Sequence, residues 1–322
     1  MQSTSNIDTF PSINKGYNST FRPNRLSIGL VVPLENYTNS PIPNMQHHIR
    51  RLQLAEELGF SAIWLRDIPF HVESFGDAGQ TYDPFVYLGL LAGQTKQIAL
   101  GVASIILPLR HPAHIAKAAA SIDVLSEGRL ILGIASGDRP EEYPALNKDF
   151  ELRGKRFRES YAYIRKMAES RANFDNAYGS PSFAMDMLPK PTSGKLPLLI
   201  TGGSQQSMDW ITENGDGWML YPRSILPQKQ IIRDWRERSR AKGIANRPVV
   251  QPLYIDLASD PREQPQAIHL GLRLGVYHLL TYLESLQEIG VNHIAFNLRF
   301  NQSGIEETMK VLAKEVLVEF HK

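Results

Sequence analysis

Apolar runs alternate with amphipathic stretches along most of this chain. The apolar runs are near-continuous, as in parallel strands buried on both faces, and the stretches between them repeat apolar residues at helical spacing. The first pair is a predicted strand at residues 25–33 and a predicted helix at 48–59, which Gly59 can terminate. A second strand at 60–65 and a polar, proline-bearing loop at 67–81 follow.

The same alternation continues to the C-terminal part of the chain. Further strands are predicted at 98–107, 129–135, 198–201, 217–220, 249–257 and 293–298. Further helices are predicted at 83–95, 112–125, 155–170, 227–241 and 277–289. Two more are predicted, one that follows the strand at 198–201 and ends at 214, and one after the last strand. About eight strand–helix pairs in series indicate a closed (β/α)8 TIM barrel rather than an open sheet. We therefore predict one barrel domain at 25–322, preceded by an arm at 1–24 that lies over the domain surface.

The predicted fold directs attention to particular loops. In a (β/α)8 barrel the active site lies where the strands end, so residues that directly follow strands are the candidate functional residues. The segment 173–195 is rich in Pro, Ser, Gly and Met and lacks clear periodicity. Long loops of this kind are more often functional than idle, so we expect a lid there that contacts the substrate.

The turn after the strand at 198–201 has two interpretations. Gly202 and Gly203 permit backbone angles that other residues resist, and Ser204 is a favourable helix N-cap. The turn is either an ordinary strand-to-helix connection or a cradle for a phosphate. In the second case, backbone N–H groups would bind the anion, with the hydroxyl groups of Ser204 and Ser207 as additional donors.

Composition excludes several classes of function. The 322 residues include 42% hydrophobic and 21% charged residues, and no apolar run approaches the roughly 20 residues that span a bilayer. With no cysteine, the chain cannot form a disulfide or a thiolate site. The formal charge of +2 is dispersed, so we expect neither nucleic-acid nor membrane binding. The N-terminal residues lack the apolar core of a secretory signal, which favours a cytoplasmic location.

Two other kinds of chemistry find little support in the sequence. Neither adjacent His47 and His48 nor the nearby pair His111 and His114 has the spacing and carboxylate partner of a metal site, so we expect no metal. A G-x-S-x-G nucleophile motif is also missing from the sequence. A small-molecule substrate is the better expectation.

Several motifs resemble those of one enzyme family. Residues 107–112 read LPLRHP and residues 125–137 read LSEGRLILGIASG. Residues 59–64 read GFSAIW, and the run EYPA at 142–145 is followed by Arg153. In this order and combination, which covers about residues 26–218, the motifs resemble the bacterial-luciferase-like flavin-dependent monooxygenases and oxidoreductases.

The resemblance implies a cofactor site. Reduced FMN is expected at the mouth of the barrel, with its phosphate held by Ser204 and Ser207 on the Gly202–Gly203 turn. Ser136 matches another cofactor-contacting position, at which luciferase has an arginine that pairs with the phosphate. The junction of Ala103 and Ser104 matches the place where many members have a non-prolyl cis peptide beside the flavin ring.

The sequence departs from the family after the second strand. Many members have an acidic residue followed by a histidine near the flavin, whereas this chain has Asp67 followed by Ile68. Arg66, Asp67 and the nearby His71 are therefore the candidate catalytic residues. The alternative is that Arg66 and Asp67 only fix the loop through an ion pair.

The resemblance also implies a reaction and partners. The family adds O2 to reduced flavin and transfers one oxygen atom to a small organic substrate, usually with a separate reductase that supplies the reduced FMN. A homodimer is the family expectation. Two alternatives stay open: a deazaflavin-dependent dehydrogenase or reductase of the same fold, and a flavin-binding protein without turnover.

Overall fold

The computed structural model describes residues 9–321 and contains a closed barrel of eight parallel strands. Strand β10 pairs with both β1 and β7, and this double pairing closes the sheet in the order β1-β2-β3-β4-β5-β6-β7-β10. The strands are β1 (Ser27–Val31), β2 (Ala62–Leu65), β3 (Ala99–Ile106), β4 (Leu130–Ala135), β5 (Leu198–Thr201), β6 (Gly217–Met219), β7 (Val249–Leu257), β8 (Gln266–Ile268), β9 (Gly271–Leu274) and β10 (His293–Asn297). The predicted (β/α)8 fold is confirmed.

Helices surround this barrel. They are α1 (Lys15–Thr20), α2 (His48–Glu57), α3 (Pro84–Gln94), α4 (Pro112–Leu125), α5 (Glu142–Ala145), α6 (Arg153–Met167), α7 (Met208–Asn214), α8 (Ile225–Ala241), α9 (Val276–Glu288), α10 (Ile305–Val311) and α11 (Val318–Phe320), the last two joined by a π-helical stretch, Leu312–Leu317. Among residues 9–321, none of the helices has the length and apolar character needed to cross a membrane.

The hairpin formed by β8 and β9 is an insertion that the sequence pattern did not reveal. Strand β9 runs parallel to the last residues of β7, and β8 pairs with β9 in the antiparallel direction. Both strands are only three or four residues long and largely lie near the surface. Such short segments are too small to show a hydrophobic period, so the missed prediction has a simple cause.

The barrel interior is filled by side chains around Trp64. A Cβ atom on Gly101 would lie 2.4 Å from the Trp64 ring, so the glycine on β3 makes room for the indole of β2. The Trp64 Nε1–H donates to Nε2 of His293 at 2.8 Å. Burial lowers the pKa of His293 to about 3, so the imidazole is neutral and can accept this bond.

The predicted surface arm is wrong for the part of it that the structure describes. Residues 9–24, which we call the N-terminal plug, enter the end of the barrel where the strands begin. Ile13, Tyr17 and Phe21 are buried against the barrel interior, and the Tyr17 hydroxyl donates to the carbonyl of Asp216 at 2.8 Å. Tyr17 lies on α1, whereas Ile13 precedes the helix and Phe21 follows it as the extended C-cap, so no helical period connects the three residues among the many Ser, Thr and Asn residues around them. Residues 1–8 of the predicted arm lie outside the described residues.

The predicted lid at 173–195 is also wrong in its second half. Thr192 donates from its backbone and hydroxyl groups to Asp123 on α4, at 2.8 and 2.7 Å, and Lys190 donates to two carbonyl groups at the end of α6. This part of the segment follows the outer surface of α4 and α6 toward the start of β5. It is therefore remote from the ends of the strands, where a substrate lid would lie.

Candidate functional site

The mouth of the barrel, where the strands end, has two halves of different chemistry. Over β3, β4, β5 and β6 lie hydroxyl groups and glycines, among them Ser104, Ser136 and the turn at 202–207. Over the adjoining strands β7, β10, β1 and β2 lie two arginines, Arg66 and Arg299, with tyrosines and a buried aspartate. We call these the hydroxyl half and the arginine half of the mouth.

Ser104 lies at the centre of the hydroxyl half. The peptide bond between Ala103 and Ser104 is cis, as the resemblance implied. The Ser104 hydroxyl hydrogen-bonds with that of Thr201 at the end of β5, and Thr201 lies 3.5 Å from the sulfur of Met219 on β6. The structure thus brings the predicted Ser104 next to the predicted turn at 202–207.

The turn itself differs from the prediction in its helix cap. Gly202, Ser204 and Gln205 have φ values of +55°, +43° and +57°, so the backbone is left-handed at three of four successive residues. Helix α7 begins at Met208 and its N-cap is Ser207, which accepts from an N–H at 3.2 Å. The expectation that Ser204 is the cap is wrong, because the left-handed residues delay the helix by three positions.

Ser204 instead stabilises its own turn. Its hydroxyl donates to the carbonyl of Thr201 at 2.7 Å, and the side chain is buried. Since a hydroxyl has one hydrogen, Ser204 can offer a ligand only its lone pairs while this bond is in place. A Cβ atom on Gly202 or Gly203 would meet nothing within 4 Å, so the backbone of the turn is open to close approach.

The helix that adjoins this turn carries two arginines in its first turn. Helix α6 starts beside it, since Gln206 Nε2 donates to the Gly154 carbonyl at 2.8 Å. The first turn of α6 carries Arg153 and Arg156, and their Nε atoms are buried with no hydrogen-bond partner within residues 9–321. Buried donors without an acceptor are rare and call for an explanation. The sequence reasoning missed both residues as anion ligands, although Arg153 belongs to a motif noted above.

Arg66 and Asp67 do not form the ion pair considered from the sequence. Arg66 Nη1 donates to Asp77 at 2.9 Å, whereas both Asp67 oxygens accept from Arg110, at 3.1 Å from Nε and 2.7 Å from Nη2. Consecutive side chains at the end of an extended strand point in opposite directions, which separates the two networks. His71 is exposed on the loop that follows β2, so the structure does not group the three catalytic candidates.

The loop from residue 67 to 83, here called the mouth loop, connects both networks. Arg110 Nη2 also contacts Asp83 at 2.8 Å, so one guanidinium joins the first and last residues of the loop. Asp77, near its middle, lies buried in the arginine half of the mouth.

Comparison with known proteins agrees with this architecture. Residues 26–277 match the family described as luciferase-like monooxygenase. The chain belongs to this family. It is 31% identical over 258 residues to the oxygenase component of a flavin-dependent trigonelline monooxygenase from Acinetobacter baylyi, a match that covers 77% of this chain and 68% of that protein.

Other relatives of this luciferase-like chain use a different cofactor. It is 27% identical over 226 residues to an F420-dependent hydroxymycolic acid dehydrogenase from Mycobacterium tuberculosis. That match covers 68% of this chain but only 59% of the relative, less than two thirds of its length. The fold of a monooxygenase from Streptomyces bottropensis superimposes with a TM-score of 0.75 at 18% identity, over 91% of this chain and 99% of that one. Luciferase-like proteins are oxidoreductases, and both flavin and F420 enzymes are among the relatives.

One further carboxyl group lies at the luciferase-like mouth, and sequence reasoning did not select it. Glu142 on α5 is buried, and its Oε1 has no partner within the described residues. Burial, with smaller contributions from Asp67 and Asp138, raises the pKa of Glu142 to about 7, although Arg139 and the Phe70 N–H oppose the shift. The residue belongs to the EYPA motif, so the signal was visible but pointed only to family membership.

Ile68, at the position where many family members have a histidine, packs against its surroundings. Ile68 is half-buried, and its Cδ1 would lie 2.7 Å from a Cβ atom on Gly79. The isoleucine therefore packs against the far side of the mouth loop. No group of three or more His, Asp or Glu side chains that could hold a metal ion occurs in the part of the chain that is described.

Proposed function

We propose that this chain is an FMN-dependent monooxygenase that uses reduced flavin and O2 to add one oxygen atom to a small organic substrate. The observation that carries the proposal is the open, left-handed turn at 202–205 beside a helix whose first turn carries two arginines with unpartnered Nε–H groups. Phosphate groups accept hydrogen bonds from backbone N–H and bind guanidinium well. The donor set of the hydroxyl half therefore suits FMN.

The residues that would hold FMN divide by role. The backbone of Gly202 and Gly203, with Ser207, Arg153 and Arg156, would hold the phosphate. Ser104, Thr201 and Ser136 would adjoin the polar edge of the ring system. The arginines near the turn compensate for Ser136, which stands where luciferase has its phosphate-binding arginine.

Reduced FMN, when bound, supplies the reaction with O2. The chain itself has to bind the cofactor, orient the substrate and exclude water from the site. The mouth loop covers the arginine half through Asp77, and Arg110 fixes both ends of this loop. Glu142 can hold or release a proton near neutral pH, because its pKa is raised to about 7 by burial first of all. Arg66, Asp67 and His71 remain candidates for catalysis, Arg66 by contact with substrate and Asp67 by positioning the loop.

A deazaflavin-dependent dehydrogenase is the second candidate, favoured by the F420-dependent relative. The greater coverage of the flavin-dependent monooxygenase, 77% against 68% of this chain, supports FMN as the first choice. Titration of the purified protein with FMN and with F420 decides between them. We expect FMN to bind more tightly by about tenfold or more, a difference of about 1.4 kcal/mol; tighter binding of F420 would overturn the proposal.

The phosphate assignment has its own test. Arg156→Gln should weaken FMN binding, whereas Arg158→Gln on the exposed face of the same helix should not. Riboflavin, which lacks the phosphate, should bind both variants equally. Ser207→Ala should cost about 1 to 3 kcal/mol of FMN affinity, the usual scale for hydrogen bonds to a charged group, whereas Ser204→Ala should cost less because the Ser204 hydroxyl donates to the Thr201 carbonyl. An Arg156 effect that persists with riboflavin would contradict this placement.

Reaction with O2 separates the monooxygenase from a flavin-binding protein without turnover. When the reduced complex is mixed with O2, a delayed return to oxidised FMN through a second absorbing species would support the monooxygenase. A direct, single-step return would contradict it. We also propose that a separate reductase supplies reduced FMN and that the chain forms a dimer, which light scattering would detect as twice 36.3 kDa.

A further inference from the structure

The carboxylate of Asp77 is bound by four side chains at once. Its Oδ2 accepts from Nη1 of Arg66 at 2.9 Å and from the hydroxyl of Tyr254 at 3.4 Å, and lies 3.1 Å from Nη1 of Arg299. Its Oδ1 accepts from the hydroxyl of Tyr37 at 3.1 Å. We call Tyr37, Arg66, Tyr254 and Arg299 the carboxylate socket. Asp77 in this socket is almost completely buried.

The socket belongs to the barrel, whereas its carboxylate comes from a loop. Tyr254 lies on β7, Arg66 and Arg299 follow β2 and β10 within two residues, and Tyr37 lies in the loop after β1. These four strands are consecutive in the barrel. Asp77 lies in the mouth loop, where the residues before it, 73–76, are exposed. A site at the strand ends of the barrel therefore binds an acidic group carried by the covering segment.

Charge in the socket is not balanced. Two guanidinium groups face one carboxylate, which leaves one positive charge in excess. The Nε atoms of Arg66 and Arg299 are both buried, and neither has a hydrogen-bond partner among residues 9–321. Burial raises the pKa of Tyr37 and of Tyr254 above their ordinary values, so both remain neutral donors. The socket thus has donors and charge beyond what Asp77 uses.

We propose that the socket is the subsite for a carboxylate group of the substrate and that Asp77 competes with the substrate for it. Arginine binds carboxylates through paired N–H donors, and the unpartnered Nε atoms can complete such pairs. The assignment rests on the proposed function in that it places the substrate in the arginine half and the cofactor in the hydroxyl half. Gly76 and Gly79, with φ of +60° and +59°, lie on either side of Asp77, and glycines tolerate the backbone change that withdrawal of the carboxylate would require.

The test uses benzoate as the carboxylate probe and benzamide as its neutral counterpart, with the full chain and no flavin. Asp77→Ala should bind benzoate more tightly than wild type by about tenfold or more, since it lacks the tethered competitor. Asp138→Ala, which removes an exposed carboxylate at the same mouth, should match wild type. The double variant Asp77→Ala with Arg299→Gln should lose this increase in benzoate affinity. Benzamide should bind to wild type and to all the variants with the same affinity.

A second measurement follows the loop. In wild type, saturating benzoate should increase hydrogen exchange of residues 73–79, and benzamide should not. Asp77→Asn keeps the side-chain shape and serves as the second variant in case Asp77→Ala does not fold. It should also bind benzoate more tightly than wild type. Equal benzoate affinity in wild type and the Asp77 variants, or benzoate binding that survives Arg299→Gln, would overturn the proposal. Because no flavin is present, these results are independent of the FMN titrations.

Discussion

Arg110 binds both carboxylate oxygens of Asp67, with Nε 3.1 Å from Oδ2 and Nη2 2.7 Å from Oδ1. The same carboxylate accepts the backbone N–H of Ile106 at 3.1 Å. The Asp67 side chain is fully buried, and these three bonds tie both of its oxygens to Arg110 and to the end of β3. This arrangement favours a positioning role for Asp67 over direct contact with substrate.

Asp67→Asn should therefore lower stability rather than abolish flavin binding. Loss of the charge leaves Arg110 with weaker bonds, and we expect a cost of roughly 2 to 4 kcal/mol in the free energy of unfolding. Urea unfolding measures this, with Asp138→Asn as the exposed control. A variant with wild-type stability that binds flavin but does not turn over would instead identify Asp67 as catalytic.

The raised pKa of Glu142 should make the stability of the fold depend on pH. Its folded pKa of about 7 lies above the usual 4.5, so the fold prefers the protonated form. Stability from this group is complete below about pH 4.5, falls as the pH rises toward 7, and stays low above that. Glu142→Gln should unfold at a higher temperature than wild type at pH 8, and the difference should vanish by pH 4.5. Its exposed neighbour provides the control, Glu141→Gln; a Glu142→Gln difference that is constant with pH would contradict the prediction.

The N-terminal plug predicts a stability effect far from the mouth. Tyr17 is completely buried, so Tyr17→Ala should cost about 3 to 5 kcal/mol, and Tyr17→Phe, which loses only the bond to Asp216, about 1 kcal/mol. Tyr277 is about half exposed and serves as the control. Chemical denaturation of the variants gives the values. Equal stability of Tyr17→Ala and Tyr277→Ala would show that the plug does not contribute to the fold.

Substitutions at the two adjacent glycines of the turn should have different effects, one on stability and the other on FMN binding. Gly202 has a left-handed φ of +55°, so Gly202→Ala should cost about 1 kcal/mol of stability. Gly203 lacks a positive φ and has open space around it, so Gly203→Ala should leave stability unchanged. Its methyl group would occupy the approach of a phosphate and should weaken FMN binding by about tenfold. Unchanged affinity would place the phosphate elsewhere.

Much of the fold could be predicted from the sequence because parallel strands buried on both faces leave long apolar runs. The arrangement of the mouth could not, since it depends on which side chains meet across strands. The pairing of Arg66 with Asp77 rather than Asp67 is an example: it depends on the direction in which adjacent side chains leave β2. The roles of Glu142 and Arg156 could not be predicted either, because burial without a partner is a property of the assembled barrel. The N-terminal plug was missed for a different reason, because its few apolar residues lie among polar ones and share no helical period.

The double pairing of β10 has a consequence for how this chain is made. Strand β1 has β2 on one side, but its other edge finds its partner only at residues 293–297. In addition, the backbone N–H of Ile28 donates to Nε2 of His321 at 2.9 Å, across a sequence separation of 293 residues. During synthesis, one edge of β1 therefore stays unpaired until β10 has left the ribosome. Unpaired strand edges are a route to aggregation, so chaperone demand and aggregation of this protein should be greatest in chains that stop before β10.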